Sequence, residues 1–494
     1  MLTHREIQHT KWISLGKLLL AYFGVSLFIR LPFFFRDYID VDESTFILMG
    51  QSVVNGHLPF TQLWDLKPPA LFYSFAALIA AFGKSFIAIR MAGTILVTLT
   101  GFFVYLITEQ LSSSKTAFWA GMLCICTSSL FGSLQGVMSE HFCMFAFVPA
   151  IYLLGRFPEK GALVFLSGIL LGYSVMCKMN MAYPTLLIGL LYWAVIPHFS
   201  WQKAMVQTLL LGLGVLISIS VTVLPYWFSG KWDLWLRSVV FAPMAYDPHA
   251  TWMHKLLPLI LGFISLSLAY FFINKHRSWV VEHKAYYILL MASYVGVFFS
   301  FIDLGKVNGH YLLQLYPMLI TLLCAGLSVS FRAKPAMYTV FWILLILAPM
   351  ESYIEYGVLI NRASKGKSLY NEEGFTIPAY FSAKHIHPKK IWFLRYHIAY
   401  WLMDAIPPTK LVTHPSNLYR EELYPIIGLK SHTTQEEIDR IVNRLKPDYV
   451  VGDSYLDSTG NSGAAYLAKL ILKNYLRVQV IGNAGIYKRI VKRL

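Results

Sequence analysis

The sequence predicts a mainly α, polytopic transmembrane bundle followed by a small soluble α/β domain. Three observations carry that prediction. Hydrophobic residues make up 56% of the 494-residue chain and charged ones 14%. With a mean hydropathy of +0.53, this lies outside the range of ordinary soluble domains. Apolar runs long enough to span a bilayer, or nearly so, recur from residue 12 to 360. Beyond about 361 short strand-like and helix-like segments alternate instead.

Met1 to Lys11 is polar and basic. The apolar run after it, from about Trp12 to Phe35, is too long for a signal peptide and lacks a small-residue cleavage site. It reads as a first spanning helix that starts in the cytoplasm. With 12–30 as the first, runs at about 86–108, 116–133, 138–155, 162–177, 181–198, 204–228, 256–274, 285–302, 310–330 and 336–360 give about eleven spans. The run 69–83 is only about fourteen residues, a length that suits a re-entrant or juxtamembrane segment rather than a span.

Charge sets the orientation. Lys275, Arg277 and Lys284 in one loop, and Arg332 and Lys334 in another, mark both loops as cytoplasmic. Counting back places 303–309, 229–255 and 134–140 outside, and the basic start places 31–68 outside too. These assignments agree only with an even number of spans between 68 and 134, which 86–108 and 116–133 supply. A full span at 69–83 would put Asp42 and Glu140 on opposite sides. The expected division is a membrane domain over 1–360, with a first external loop at 31–68, and an extracytoplasmic α/β domain over 361–494.

In that tail, Lys389 to Leu394 reads as a strand, and Thr434 to Leu445 as a helix with a cap-like start. Asp448 to Val451 is a second strand, Tyr466 to Tyr475 a helix and Arg477 to Val480 a third strand. No Gly-x-Gly-x-x-Gly phosphate loop is present, so no nucleotide is assigned. The net charge of +16 suits cytoplasmic loops and anionic lipid. No basic run has the length of a nucleic-acid arm, so no nucleic-acid partner is expected. Cys124, Cys126, Cys143, Cys177 and Cys324 lie in apolar segments without metal or disulfide spacing. They read as small core residues. No internal repeat points to a transporter of inverted halves.

The polar stretch from Tyr38 to Pro69 concentrates the chemistry. Asp42-Glu43 opens it. Phe46, Ile47, Met49, Val53 and Val54 then fall at roughly helical spacing, and Gly56 can end the run, which is the pattern of a helix lying on the membrane surface. A plain N-cap role for Asp42 fits the same pattern. The two roles are compatible, because a cap is a rigid place for a carboxylate. Asp65-x-Lys67-Pro68-Pro69 closes the stretch. The prolines fix the backbone and let a helix start just after them. Lys67 then sits where an ammonium either meets a lipid phosphate or simply snorkels.

Ser139-Glu140-His141 puts an acid at the mouth of an apolar helix. That is costly unless the acid is used or paired, although a helix-start acid also gains from the dipole. Arg90, Lys178 and Lys306-x-Asn308-x-His310, with Tyr311 beside it, fall near the outer face, where positive charge is disfavoured unless something anionic is bound. Together these are two or three carboxylates and several cations on one side of a bundle. Transfer from a phospholipid-type donor requires such a set. A base takes a proton from an acceptor hydroxyl, and cations stabilise charge on the phosphate leaving group. Carboxylates also stabilise an oxocarbenium-like glycosyl state.

Over about residues 12–330 the chain resembles the GT-C superfamily of polyprenyl-phosphate-dependent glycosyltransferases. The nearest look-alikes are the lipid A aminoarabinose transferases, the protein O-mannosyltransferases and glycosyltransferase families 39 and 83. Five motifs in the family's order carry the resemblance: Asp42-Glu43, Asp65-Leu66-Lys67-Pro68-Pro69, Glu140, Lys178, and Gly309-His310-Tyr311 with Pro317 downstream. The resemblance implies a transmembrane bundle of GT-C type and an inverting transferase in a bacterial inner membrane. Its donor would be a polyprenyl-phosphate-linked sugar and its acceptor a lipid, glycan or protein at the periplasmic face. It implies that Asp42 is the base, with Glu43 and Glu140 shaping the acceptor site. Lys67, Arg90, Lys178, His310 and Tyr311 would face the donor phosphate, and Asp65, Lys306 and Asn308 would shape the substrate site. The acid at the second external loop is often aspartate in the family, where this chain has Glu140. Some members use a divalent metal (Mg or Mn) and others none; Asp42 and Glu140 would be its ligands here. Two other classes compete. A transporter or flippase of lipid-linked glycans would place its charges near the bilayer midplane, whereas these acids lie at loop edges. A non-catalytic membrane scaffold would keep its function in Asp42→Asn.

Overall fold

The computed structural model describes residues 4–37, 40–129, 135–196, 200–245, 275–304, 308–330, 345–454 and 462–490, with isolated positions between 256 and 267 and at 342–343. It is mainly helical and divides into two compact units. One comprises Met1–Pro32, Arg90–Thr222 and Asp247–Val358; the other comprises Phe33–Ile89, Val223–Tyr246 and Leu359–Leu494. Among the described residues four helices are long and apolar enough to cross a membrane: Leu15–Phe35, Phe86–Leu111, Trp201–Phe228 and Lys284–Asp303. Pro69–Phe82, Gly161–Cys177 and Tyr316–Val329 are shorter apolar helices. The expected span at 256–274 falls mostly outside the described residues, as do parts of 116–133 and 336–360.

The first unit is built from α1 (His4–Arg30), most of α4 (Phe86–Leu111), α5 (Ser114–Thr127), α6 (Ser139–Arg156), α7 (Gly161–Cys177), α8 (Ala182–Leu191), most of α9 (Trp201–Phe228), and the helices Lys284–Leu304 and Tyr316–Ser330. Small residues set its closest packing. A Cβ on Gly168 of α7 would fall 3.0 Å from Gly214 Cα of α9, and one on Gly172 would fall 2.7 Å from Ser218 Cβ. Ser218 Oγ donates to the Ile169 carbonyl at 2.7 Å. Small residues four apart on both helices let the backbones meet, and packing plus hydrogen bonds then hold a pair that lipid does not drive together.

In the second unit, α2 (Val41–Val54) and α3 (Pro69–Phe82) pack side by side. The sequence pattern predicts a surface helix at α2, but Glu43 through Gly50 and Ser52 are buried. No charged residue occurs between Ser44 and Val54, so every face can be covered. Gly50 makes the contact with α3 possible: a Cβ there would lie 2.7 Å from Phe75 Cβ and 3.0 Å from Ala76 N. Asp40 caps α2 by accepting from Asp42 N at 3.0 Å. Pro68 and Pro69 start α3 and Gly83, with φ of 67°, ends it.

The same unit carries a four-stranded sheet of order β1-β2-β4-β3. β1 (Ile391–Phe393) runs parallel to β2 (Tyr449–Asp453), with Trp392 opposite Val450. β4 (Ala484–Arg489) is antiparallel to β2 and to β3 (Tyr475–Ile481). β4 is an addition to the three expected strands. Its Ala-Gly start and Lys-Arg end mask the buried Ile486-Tyr487 pair. The helix expected at 434–445 is α-helical over Thr434–Asp439 and widens to a π turn over Arg440–Leu445. Its cap is Thr433, whose side chain accepts from Glu436 N at 3.2 Å.

Candidate active site

The sequence-predicted residues fall into two clusters, one in each unit. In the second unit Asp42 occupies the first turn of α2. Its Oδ2 lies 3.2 Å from Lys67 Nζ, and its Oδ1 lies 3.0 Å from His414 Nε2. Lys67 follows from the Lys-Pro-Pro corner: its backbone N–H donates to Asp65 Oδ2 at 3.4 Å, and its ammonium stands 5.4 Å from the Phe46 ring centroid. Asp65 is 3% exposed and Glu43 is fully buried, so Asp42 is the accessible member of the three acids.

His414 comes from the tail, some 370 residues away in sequence, and sequence reasoning does not single it out. Its Nδ1 accepts from Ser416 N–H at 3.2 Å, with Ser416 Oγ at 2.8 Å. An accepting Nδ1 fixes the neutral tautomer with the proton on Nε2, which then donates to Asp42. Thr413 anchors this segment. Its carbonyl accepts from Thr45 Oγ1 of α2 and its Oγ1 accepts from Trp64 N, each at 3.4 Å. Trp401 Nε1 adds a bond to Gln51 Oε1 at 2.9 Å. The tail thus helps to orient the carboxylate on the first loop.

In the first unit Glu140 sits in the first turn of α6, fully buried. Ser139 Oγ donates to its Oε2 at 2.9 Å, Lys178 Nζ bonds to its Oε1, and His310 Nε2 is 3.9 Å from the same oxygen. Lys178 is where α7 ends: the backbone there turns extended before a 3-10 turn over Met179–Met181. Its ammonium also lies 4.1 Å from the Tyr311 ring centroid. His310 and Tyr311 belong to a second 3-10 turn, Gly309–Gln314, which Asn308 opens. Asn180 and Gln314 tie the two turns together by reciprocal amide bonds at 3.0 Å, and Asn180 also donates to Ser300 Oγ at 3.1 Å. Both amides stand inside apolar runs, which is the signal that could have marked them. Arg90 is fully buried on α4. Lys306 lies outside the described residues.

Residues 66–227 match the model of the dolichyl-phosphate-mannose-protein mannosyltransferase family. No curated protein sequence matches the chain. Its fold is similar to that of ArnT from Cupriavidus metallidurans in the apo state, at 12% identity over 98% of each chain with a TM-score of 0.59. It is likewise similar to ArnT bound to undecaprenyl phosphate, at 11% identity over 97% of this chain and 98% of that one, with a TM-score of 0.57. The chain therefore shares the fold of these ArnT structures. The side chains around Asp42 and Glu140 do not favour a divalent ion there. Among the described residues no group of three or more His, Cys, Asp or Glu side chains gathers to hold one. Each carboxylate already has an ammonium on one oxygen and a neutral donor on the other.

Proposed function

We propose that this chain is an integral-membrane, inverting glycosyltransferase. It moves a sugar from a polyprenyl-phosphate donor to a hydroxyl of a lipid, glycan or protein acceptor at the extracytoplasmic face. The observation that carries the reading is Asp42, a partly exposed carboxylate at a helix start, oriented by Lys67 on one oxygen and His414 on the other. That is the arrangement of a base held ready for a proton. The acceptor oxygen bonds to the anomeric carbon as the bond from that carbon to the phosphate oxygen breaks. The acceptor proton passes to Asp42, and the polyprenyl phosphate leaves with the bonding electrons. Lys178, His310 and Tyr311 serve the phosphate, with Glu140 holding the lysine in place. Undecaprenyl phosphate in the ArnT structure supports a polyprenyl carrier. The same reading has about eleven spans, with α3 entering and leaving the outer leaflet, and a bacterial inner membrane as the site.

Purified protein in proteoliposomes, supplied with labelled polyprenyl-phosphate sugars and envelope acceptors, tests this. Asp42→Asn should lower kcat by about 10²–10⁴-fold, the usual contribution of a positioned base. Equal turnover removes Asp42 from that role. Movement of the lipid-linked sugar across the bilayer with no glycosidic bond formed replaces transfer with flipping.

A further inference from the structure

The proposed reaction gives no role to Arg30, a buried charge of the first unit. Arg30 ends α1 and is the one charged residue between Lys17 and Arg36. It is 2% exposed, and a cation buried in a spanning helix is costly unless it is used or paired. Its Nη2 donates to the carbonyls of Gln135 and Gly136, at 3.0 Å each. One nitrogen serving two successive carbonyls fixes the backbone between them, and each bond is of the stronger, charge-assisted kind. Gly93 of α4 leaves the space for it: a Cβ there would lie 2.9 Å from Arg30 Nη2 and 2.8 Å from Val137 Cγ2.

The segment held by Arg30 leads directly into the Glu140 cluster. Gln135, Val137, Met138 and Ser139 are each 1% exposed or less, and Gly136 is buried between them. Met138 starts α6: its N–H donates to His141 Nδ1 at 3.0 Å, and its carbonyl accepts from His141 N–H at 3.1 Å. The stretch from Gln135 to His141 is thus pinned at both ends, by Arg30 in front and by the helix start behind, with Glu140 inside it. We infer that Arg30 is a positioning residue for the donor phosphate: it latches residues 135–138, so that Glu140 presents Lys178 to the anion. This rests on the phosphate role proposed above for Lys178. Buried against its two carbonyls, the guanidinium holds backbone rather than substrate. Its effect on the site is geometric. Lys178 follows Glu140, because its ammonium is bonded to that carboxylate, and a misplacement of about 1 Å can cost on the order of 10²-fold.

The test measures binding of undecaprenyl phosphate, a carrier without its sugar, to full-length protein in detergent. Arg30→Met should raise Kd by about tenfold, the scale of one hydrogen bond to a charged group. Arg30→Lys should stay within about threefold, because both bonds come from one nitrogen and an ammonium can make both. A purely structural role would lower the unfolding midpoint and leave the Kd of the folded protein unchanged. The deciding measurement is a mutant cycle with the Glu140→Gln, Lys178→Met double variant, which removes the pair through which Arg30 acts. In that background Arg30→Met should add nothing. If the background itself binds as wild type does, the phosphate role of Lys178 fails and the latch with it. If the background binds weakly and Arg30→Met still adds its full factor, the latch alone fails. Gly93→Ala carries the same test with the arginine in place, and decides it if Arg30→Met does not fold. Its Cβ crowds Nη2, so Kd should rise in the otherwise wild-type chain and stay put in the background. Wild-type Kd in Gly93→Ala, or in folded Arg30→Met, overturns the latch.

Discussion

Replacing His414 asks whether the tail takes part in the reaction or only covers the membrane part. The Nε2–H bond to Asp42 is 3.0 Å long, and both side chains are 16% exposed, so solvent can only partly take its place. A hydrogen bond to a charged group contributes about 1.5–3 kcal/mol. At about 1.4 kcal/mol per decade, its loss predicts a fall in kcat of about 10–100-fold for His414→Phe. KM should change little, because the bond orients the base and holds no substrate. His414→Gln keeps a donor near the Nε2 position and should recover most of the rate. The assay is initial-rate transfer from a labelled polyprenyl-phosphate sugar in proteoliposomes, alongside unfolding midpoints for each variant. If His414→Phe turns over within about twofold of wild type, the proposed orientation of Asp42 by the tail is wrong. If Gln and Phe are equally inactive while both stay folded, the imidazole does something other than donate to Asp42.

Lys178→Met should destabilise the protein by about 3–5 kcal/mol, because it takes the ammonium away from a fully buried carboxylate, Glu140. Adding Glu140→Gln should restore the unfolding midpoint but not transfer, and a double variant as unstable as the single one argues against the pair. Gly50→Val should destabilise the protein by about 1–3 kcal/mol of overpacking, since the new side chain would overlap Phe75 and Ala76 of α3; an unshifted melt means that α2 and α3 are not so close. Burial, as the largest cause, pushes Asp37 up from an ordinary 3.8 to about 7, against a bond from Gly374 N–H that favours the ion. The folded state then holds a proton that the unfolded state has released, so stability falls as pH rises from about 4 to 7 and levels off above. Asp37→Asn should flatten that slope and raise the midpoint at pH 8, and a slope that persists rules Asp37 out as its source.

Much of the architecture is readable from composition and local pattern. Long uncharged runs read as membrane or core helices, Pro68-Pro69 suits the start of a helix, and the Glu140 and Lys178 charges are costly in apolar surroundings unless used or paired. The misread parts depend on distant partners. The helix α2 looks amphipathic enough for a membrane surface, and only its contacts with α3 and the tail decide that it is interior. His414 is an unremarkable His-Pro dipeptide in a loop-rich stretch, and nothing near it in sequence points to Asp42. The turn pair held by Asn180 and Gln314 is likewise a contact across more than a hundred residues. Local sequence carries propensity and charge cost; it does not carry which loop meets which.

The two acid–cation clusters differ in a way that bears on the roles proposed for them. Glu140 has no exposed surface, and Lys178, Ser139 and the nearby His310 surround its oxygens. Removing the lysine's charge from such a carboxylate costs several kcal/mol, so protonation in each catalytic cycle would have to work against that pairing. Asp42 keeps 16% of its side chain open, and its bonds to Lys67 and His414 have ordinary lengths. A partly solvated carboxylate exchanges its proton cheaply, while the two donors fix its direction. Of the two acids, Asp42 is therefore the one suited to take up and release a proton at every turnover. Glu140 is suited to holding Lys178 and the ring of Tyr311 in place for an anion. This assignment predicts unequal defects. Glu140→Gln should raise KM for the lipid-linked donor more than it lowers kcat, whereas Asp42→Asn should lower kcat at nearly constant KM. The reverse pattern in steady-state kinetics would exchange the roles of the two acids.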